Sequence, residues 1–349
     1  MKISNVRVPA RGPSDSQIIV LGEAPGNNET IYGRPFVGGA GKELMDQLRD
    51  AGLDPDSIYF TNVFPFQPEK NNVEHYFLPK KEGITTIPPL KNGKYLNPDA
   101  LQFYCDTLQS LRNHPARIII ALGNTALWAL TGLQGITKYR GVWHQWEDKW
   151  ILPTIHPSAI LRRYQDRSTV IVDLLSVKTF LDSGKPSPLD DAPIYTIHKN
   201  PLRSDLENFY QAAAAAPSLS CDIETAVSQI RSFGFSISPT EAFVIPIFEI
   251  DTGNYWLRPE DEVYAVQIIK RICELPAPKL FQNGLYDLQY LWKIWGITVR
   301  NPEHDTYLLH HALQPELPRS LGYLGSIYTN NPAWKQMRKH HAENEKEGE

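Results

Sequence analysis

The stretch GEAPG at residues 22–26 follows the apolar run QIIVL at 17–21, and HPS at 156–158 follows a second such run, WILPTI, at 150–155. Short apolar runs bounded by turn-forming residues predict buried strands. In an open parallel sheet, ligands bind beyond the carboxyl ends of the strands. We therefore expect these two polar segments to face one crevice.

Strand-like and helix-like runs alternate through the first half of the chain. Apolar runs predict further strands at 57–63 and 116–122, and amphipathic runs predict helices at 41–50, 99–113, 124–130 and 170–181. Such alternation predicts an α/β fold, here a three-layer α/β/α domain with a mainly parallel sheet over residues 1–182.

The second half has a different organisation. The Pro- and Gly-containing segment SGKPSPLDDAP at 183–193 predicts a linker. A strand-like run at 219–223 then predicts a strand, and two further runs at 230–236 and 242–247 predict a meander, followed by helices at 260–274 and from residue 285. We expect a second domain over 194–335 and a polar tail over 336–349.

Composition excludes several classes of protein. The chain has 349 residues, a net charge of −4 and no apolar run long enough to span a membrane. Its three cysteines are widely spaced, which argues against a disulfide framework and for a reducing cytoplasm. Any contact with nucleic acid must come from local basic patches.

Two motifs in the first domain resemble those of a known enzyme family. The segments GEAPGNNETIYGRPFVGGAGKELMDQL at 22–48 and TIHPSAIL at 154–161 resemble the first and second motifs of the family 4 uracil-DNA glycosylases. The resemblance covers roughly residues 15–180. It implies removal of uracil, or a related deaminated base, from DNA as a repair reaction. The glycine-rich turns also suit close approach of backbone to a ligand.

The resemblance implies a role for each matching residue. Phe36 would stack on the flipped uracil, Asn62 would bond the edge of the base, and His156 would stabilise the departing base. The other implied positions are Glu23 and Glu29 near the glycosidic bond, Ala24 and Asn71 beside the substrate, and Gly38, Gly41, Ser158, Arg162, Arg163 and Arg167 on phosphates. Taken singly, each has an ordinary structural explanation, such as a turn, a core ring or a solvated acid.

The family's iron–sulfur cluster is expected to be absent. Phe66 stands where one of the four cluster cysteines would be, and the amino terminus has no cysteine pair. The chain therefore resembles a cluster-free branch of the superfamily, such as those found in phages, and no cofactor is expected for the glycosylase.

The second domain resembles another family. SLSCDIETAVSQIRSFGFSI at 218–237 and FQNGLYDLQYL at 281–291 resemble the first two motifs of the DEDD-type 3′–5′ exonuclease domain of family A DNA polymerases. This implies a ribonuclease H-like mixed sheet and Mg²⁺ or Mn²⁺ held by Asp222, Glu224 and Asp287. No aspartate follows Asp305, so the fourth carboxylate is missing and the exonuclease is expected to be truncated and inactive.

Three functions remain open at this point. The favoured one is a glycosylase that acts on uracil in single- or double-stranded DNA in the cytoplasm of a bacterial or phage-infected cell. The alternatives are a non-catalytic, uracil-binding accessory of a replicative DNA polymerase and an exonuclease completed by another chain.

Overall fold

The computed structural model describes residues 2–184, 194–226, 228–249 and 253–329. The predicted tail at 336–349, and all but the first two residues of the predicted linker at 183–193, lie outside these ranges. In the part of the chain that is described, no helix is long and apolar enough to cross a membrane.

The described residues form strands and helices in the following order. The strands are β1 (Ile3–Arg7), β2 (Ile18–Gly22), β3 (Tyr59–Asn62), β4 (Phe66–Pro68), β5 (Phe77–Leu78), β6 (Tyr95–Leu96), β7 (Ile118–Leu122), β8 (His144–Trp146), β9 (Lys149–Thr154), β10 (Thr196–His198), β11 (Leu219–Ala226), β12 (Gln229–Ser238), β13 (Glu241–Pro246), β14 (Phe248–Glu249), β15 (Gly253–Asn254), β16 (Lys279–Phe281) and β17 (Pro302–Asp305). The helices are α1 (Asn27–Tyr32), α2 (Gly39–Asp50), α3 (Leu101–Asn113), α4 (Gly123–Thr131), α5 (Ile136–Tyr139), α6 (Pro157–Ile160), α7 (Arg167–Ser183), α8 (Arg203–Ala215), α9 (Pro259–Cys273), α10 (Leu285–Trp295), α11 (Thr306–Leu313) and α12 (Leu321–Tyr328).

Two compact units divide the chain. Of the described residues, unit 1 holds 2–184 and 316–329, and unit 2 holds 194–315. Helix α12, which sequence analysis assigned to the second domain, thus groups with unit 1.

Unit 1 is built on a five-stranded sheet with the order β3-β2-β7-β9-β8. The first four strands run parallel, and β8 returns antiparallel to β9 as a hairpin. The central strands are buried along their whole length, as expected for a parallel sheet covered on both faces.

Alternate residues of the central strands pack into two separate cores. Ile118 and Ile120 of β7 pack with α2 and α7, whereas Ile119 and Ala121 pack with α3 and α4. Because side chains alternate across a strand, one apolar run supplies both faces. The predicted three-layer α/β/α fold is therefore confirmed.

Helix α12 contributes a small cluster to unit 1. Its Tyr323 and Leu324 pack with Leu317 and with Val172 of α7. Tyr323 also lies under the guanidinium of Arg140, 5.0 Å from the ring centroid.

Unit 2 is built on a six-stranded mixed sheet with the order β10-β13-β12-β11-β16-β17. Strands β11, β12 and β13 form an antiparallel meander, and β16 and β17 join β11 in parallel. Helices α8, α9 and α10 contribute to the core of this unit. A mixed sheet was expected here.

Candidate active site

A cleft of about 360 Å³ lies at the carboxyl ends of β2, β3 and β9 in unit 1. The two polar segments that were predicted to face one crevice, 22–26 and 156–158, both contribute residues to its lining, as expected. The sequence-predicted residues that line the cleft are Glu23, Ala24, Glu29, Phe36, Gly38, Gly41, Asn62, Asn71, His156 and Ser158. Parallel strands end at one edge of the sheet, which is why residues so far apart in sequence meet.

Phe36 and Asn62 meet over Gly22. A Cβ atom placed on Gly22 would lie 2.7 Å from Cζ of Phe36 and 2.3 Å from Oδ1 of Asn62. Only a residue without a side chain leaves room for the ring and the amide at this point. None of the side chains described hydrogen-bonds the Asn62 amide, so it can serve a ligand.

The backbone of Phe36 is held in an unusual conformation. Its φ angle is +57°, a left-handed value that costs a bulky residue about 1–3 kcal/mol. Gly41 lies against this backbone, because a Cβ atom there would approach the Phe36 carbonyl oxygen to 2.1 Å. The ring packs against Phe60, with centroids 5.7 Å apart. Close packing therefore sets the position of the Phe36 ring.

His156 is held as a neutral donor. The backbone N–H of Ser158 donates to Nδ1 at 3.2 Å, and the Ser158 hydroxyl lies 2.8 Å from the same nitrogen. Burial and the positive charge of Arg162 lower the pKa of His156 to about 4. Since a backbone N–H can only donate, Nδ1 must accept, and the ring proton is carried by Nε2.

Glu23 lies in a largely desolvated part of the cleft. Burial raises the pKa of Glu23, and a hydrogen bond from the Thr125 hydroxyl to Oε2 partly opposes that rise. A carboxylate with a raised pKa in a cleft is a candidate for orienting or deprotonating water.

Glu29 connects the two glycine-containing segments. Its Oε2 accepts from the backbone N–H of Gly26 at 3.0 Å, and its Oε1 accepts from that of Gly38 at 3.2 Å. Both carboxylate oxygens are thus engaged by backbone. This geometry favours positioning of the cleft wall over direct chemistry.

Asn71 and Ser158 border the cleft but also have protein partners. Asn71 has a left-handed φ of +55°, which asparagine tolerates well, and its Oδ1 accepts from Gln67 Nε2 at 2.6 Å. Ser158 contacts His156 as described above. A role in phosphate contact for Ser158 stays a prediction.

The predicted basic cluster is only partly available. Arg162 and Arg163 lie outside the cleft lining. Arg163 pairs with Asp166 at 3.5 Å. Arg167 pairs with Glu43 at 2.8 Å and with Asp50 at 2.6 Å, and is therefore committed to linking α7 with α2.

Comparison with known proteins identifies unit 1. The family model for the uracil DNA glycosylase superfamily matches residues 9–175. A type-4 uracil-DNA glycosylase of Thermotoga maritima is 32% identical over 179 residues, which cover 50% of this chain and 82% of that protein. The chain belongs to the uracil-DNA glycosylase superfamily. A type-4 enzyme of Saccharolobus solfataricus is also 32% identical, over 194 residues that cover 53% of this chain and 80% of that protein.

Other matches are more distant from this glycosylase-superfamily chain. A DNA polymerase of Bacillus phage SP01 is 27% identical over 177 residues, or 50% of this chain and 17% of the polymerase. Escherichia coli RNase D, a solved exoribonuclease structure, matches with a TM-score of 0.29 and 16% identity. That match covers 39% of this chain and 33% of the RNase D chain.

Two residues beside the glycosylase cleft were not assigned a role from sequence. Gly123, with φ of +80°, lies against His156, because a Cβ atom on it would be 3.0 Å from the His156 Cβ. Thr125, in the first turn of α4, donates a hydrogen bond to the Glu23 carboxylate. Both follow β7, whose carboxyl end lies at the same edge as the cleft. Because β7 was itself predicted as a strand of this sheet, the position of Gly123 and Thr125 directly after it was the sequence signal that could have placed both residues beside the cleft.

The acidic residues of unit 2 do not gather into a metal site in the residues described. Asp222 is exposed and Glu224 half-buried on one face of β11, as the i, i+2 spacing predicts. Buried Asp287 accepts from the backbone N–H of Ile223 at 2.9 Å. Within the described ranges, no group of three or more His, Cys, Asp or Glu side chains could hold a metal ion.

Asp305 has a structural role in unit 2. Its carboxylate accepts from the backbone N–H groups of Asn283 and Gly284 and caps α11 at Tyr307. Mg²⁺ or Mn²⁺ binding by this superfamily member stays a prediction.

Proposed function

We propose that unit 1 is a DNA-repair glycosylase that hydrolyses the N-glycosidic bond of uracil, or of a related deaminated base, and leaves an abasic site in DNA. Membership of the superfamily supports this activity, and the relatives above are named type-4 uracil-DNA glycosylases. One observation carries the proposal: an aromatic ring, an amide and an imidazole, from Phe36, Asn62 and His156, line the same cleft.

Capture of the base is the first step. A base inside a duplex is out of reach, so the nucleotide must be extruded into the cleft. The Phe36 ring would then stack on the base, and the Asn62 amide would bond its edge. An amide held with its oxygen toward the N3–H of the base and its NH₂ group toward O4 suits uracil and disfavours cytosine, whose N3 accepts and whose amino group donates.

Cleavage of the bond leaves negative charge on the base. The Nε2–H of neutral His156 would donate to the oxygen on which that charge develops. A fixed donor in a water-poor site stabilises such charge without reorganisation. The imidazole acts here as a donor, and its lowered pKa keeps it in that form at neutral pH.

Water completes the reaction. Glu23 would orient a water molecule toward the sugar carbon, whose bond to nitrogen breaks as the bond to the water oxygen forms. The proton lost by the water ends on solvent or on the released base. Glu29 would act indirectly, by holding the Gly26 and Gly38 backbone in place. This scheme needs no cofactor.

An oligonucleotide assay tests the proposal. Strands that contain one uracil, single or paired with each base, are incubated with the protein and then cleaved with alkali at abasic sites. We expect cleavage with wild type and a loss of about 10²-fold or more for His156→Ala. His198→Ala, in unit 2, is the matched control and should leave the rate unchanged. If wild type binds uracil-DNA but retains the base, the non-catalytic alternative replaces this proposal.

We also propose a cellular setting for this repair activity. The match to a phage DNA polymerase supports a role for this repair alongside replication, with DNA as the substrate and a polymerase as a partner. The bacterial, archaeal and phage relatives support action in the cytoplasm. Co-purification with the replicative polymerase would test the partner.

A further inference from the structure

Exposed apolar side chains of unit 1 are concentrated on two segments that line the cleft. Among the described residues of this unit, the four most exposed large apolar side chains are Tyr32 (69%), Tyr164 (68%), Ile31 (67%) and Leu161 (57%). We call these four residues the apolar rim. Ile31 and Tyr32 end α1, whose first residues line the cleft, and Leu161 and Tyr164 follow His156 and Ser158.

Leu161 of the rim and helix α1, which ends in Ile31 and Tyr32, both contact one glycine turn at residues 38 and 39. A Cβ atom on Gly38 would lie 3.5 Å from the side-chain nitrogen of Asn28 in α1. A Cβ atom on Gly39 would lie 3.7 Å from Cδ1 of Leu161. Gly38 and Gly39 themselves line the cleft, so Leu161 and helix α1 both pack against its wall.

Positive charge accompanies the rim. Arg34 follows Tyr32 by two residues, Arg162 adjoins Leu161, and Lys42 adjoins the cleft residue Gly41. Unlike Arg163 and Arg167, none of these three cations has an ion-pair partner among the residues described. Glu29, the acidic residue of α1, accepts hydrogen bonds from two backbone N–H groups. The surroundings of the rim therefore favour an anionic partner.

We propose that the apolar rim binds single-stranded DNA on either side of the base held in the cleft. The proposal rests on the proposed function, because it takes the cleft as the site of the target base. Exposed tyrosine rings bind the faces of unstacked bases, and unpaired cations bind the phosphates between them. A duplex keeps its bases stacked and offers only their edges in the grooves. Rings and cations together therefore match a single strand.

Binding to DNA without uracil tests the rim separately from the chemistry. Fluorescence anisotropy at one fixed salt concentration would compare a labelled oligothymidine with a duplex of equal length. We expect wild type to prefer the single strand. Tyr32→Ala and Tyr164→Ala should each weaken single-strand binding by at least about fivefold, with little change for the duplex. Tyr32→Phe should retain the wild-type affinity, since it keeps the ring.

Tyr328→Ala is the matched control, because this exposed tyrosine lies on α12, away from the cleft lining. Wild-type preference for the duplex, or unchanged single-strand affinity in both rim variants, would overturn the proposal. Equal losses for single strand and duplex would also overturn it. If the rim variants behave as expected but wild type releases no uracil, the glycosylase proposal fails and the rim proposal stands.

Discussion

Burial raises the pKa of Glu23, and a hydrogen bond from the Thr125 hydroxyl partly opposes that rise. Thr125→Val keeps the shape of the side chain but removes the donor, so the pKa of Glu23 should rise further. As pH falls through that pKa, the carboxylate takes up a proton and can no longer orient water as a base. We therefore expect the acid limb of kcat/KM for uracil release to move to higher pH in Thr125→Val.

The measurement is a pH profile of kcat/KM with single-stranded uracil substrate. Because the pKa of His156 is lowered to about 4, His156 stays neutral above that pH and does not produce this limb. Thr125→Ser keeps a hydroxyl and should restore the wild-type profile. A Thr125→Val enzyme with lower activity but an unshifted limb would show that Thr125 only supports the local fold.

Gly123 is expected to position His156. Gly123→Ala introduces a Cβ atom 3.0 Å from that of His156 at a φ of +80°. The left-handed backbone costs about 1–2 kcal/mol with alanine, and the new contact displaces the imidazole. Gly184→Ala, at φ of +78° with nothing within 4 Å, has the same backbone cost without the contact.

We expect both alanine variants to lose similar stability in thermal unfolding, and only Gly123→Ala to lose kcat. A displaced donor should cost on the order of tenfold or more. Equal kcat values in the two variants would argue against a positioning role for Gly123.

Most of the site residues predicted from sequence line one cleft, whereas their roles stay predictions. Asn62 and His156 share a cleft because Asn62 ends β3 and His156 follows β9 in one sheet, which the apolar runs already indicate. Phe36 reaches the same cleft from the loop between α1 and α2. The commitment of Arg167 to Glu43 and Asp50 could not be foreseen, since it depends on how α7 packs on α2. The same holds for the contact of Glu29 with Gly38, which depends on the path of a loop.

At the scale of elements, α12 completes a buried ion pair of unit 1. Arg140 and Asp173 are both almost inaccessible and pair through two hydrogen bonds. Arg140 also donates to Ser326 Oγ of α12 at 2.9 Å, and Asp173 accepts from Thr154 at 2.6 Å. Thr154 ends β9, two residues before His156. Through this network, helix α12 therefore supports the end of β9, the strand that precedes His156.

Ser326→Ala should destabilise unit 1. The substitution leaves one donor of the buried Arg140 guanidinium without its partner, at a cost of about 1–3 kcal/mol. Urea unfolding followed by the fluorescence of Trp143, which packs in the core of unit 1, would measure the loss. Ser176→Ala, at a half-buried serine of α7, is the control. Unchanged stability in Ser326→Ala would mean that α12 is not an integral part of the unit.

The assignment of α12 to unit 1 was beyond sequence reasoning. Its segment, LGYLGSIY, is apolar on most sides and follows the second domain directly. The apolar composition of this segment indicates that the helix is buried, but it does not indicate which unit the helix packs against. The mainly parallel sheet of unit 1, by contrast, followed from the alternation of strands and helices, because parallel strands need helical crossovers.

At the scale of the whole molecule, only one of the two units is expected to be active. Unit 2 keeps Asp222, Glu224 and Asp287, yet no aspartate follows Asp305. Two-metal hydrolysis needs a complete set of carboxylates to hold both ions. We therefore expect no Mg²⁺- or Mn²⁺-dependent shortening of a 5′-labelled strand, and the same uracil release with and without EDTA.

Gel analysis of a uracil-free labelled strand would check this, with Asp222→Ala as the control for contamination. Metal-dependent shortening that disappears in Asp222→Ala would show that unit 2 works as a nuclease despite the missing carboxylate.

The return of α12 to unit 1 also has a consequence during synthesis. A ribosome must translate all of residues 185–315 after α7 before Tyr323 and Ser326 exist. At about 5–20 residues per second, that interval is on the order of ten seconds. Throughout it, the nascent Arg140 and Asp173 pair lacks its cover. Polypeptides arrested on the ribosome before codon 316 should therefore carry an unfinished, protease-sensitive repair unit that matures only on further elongation.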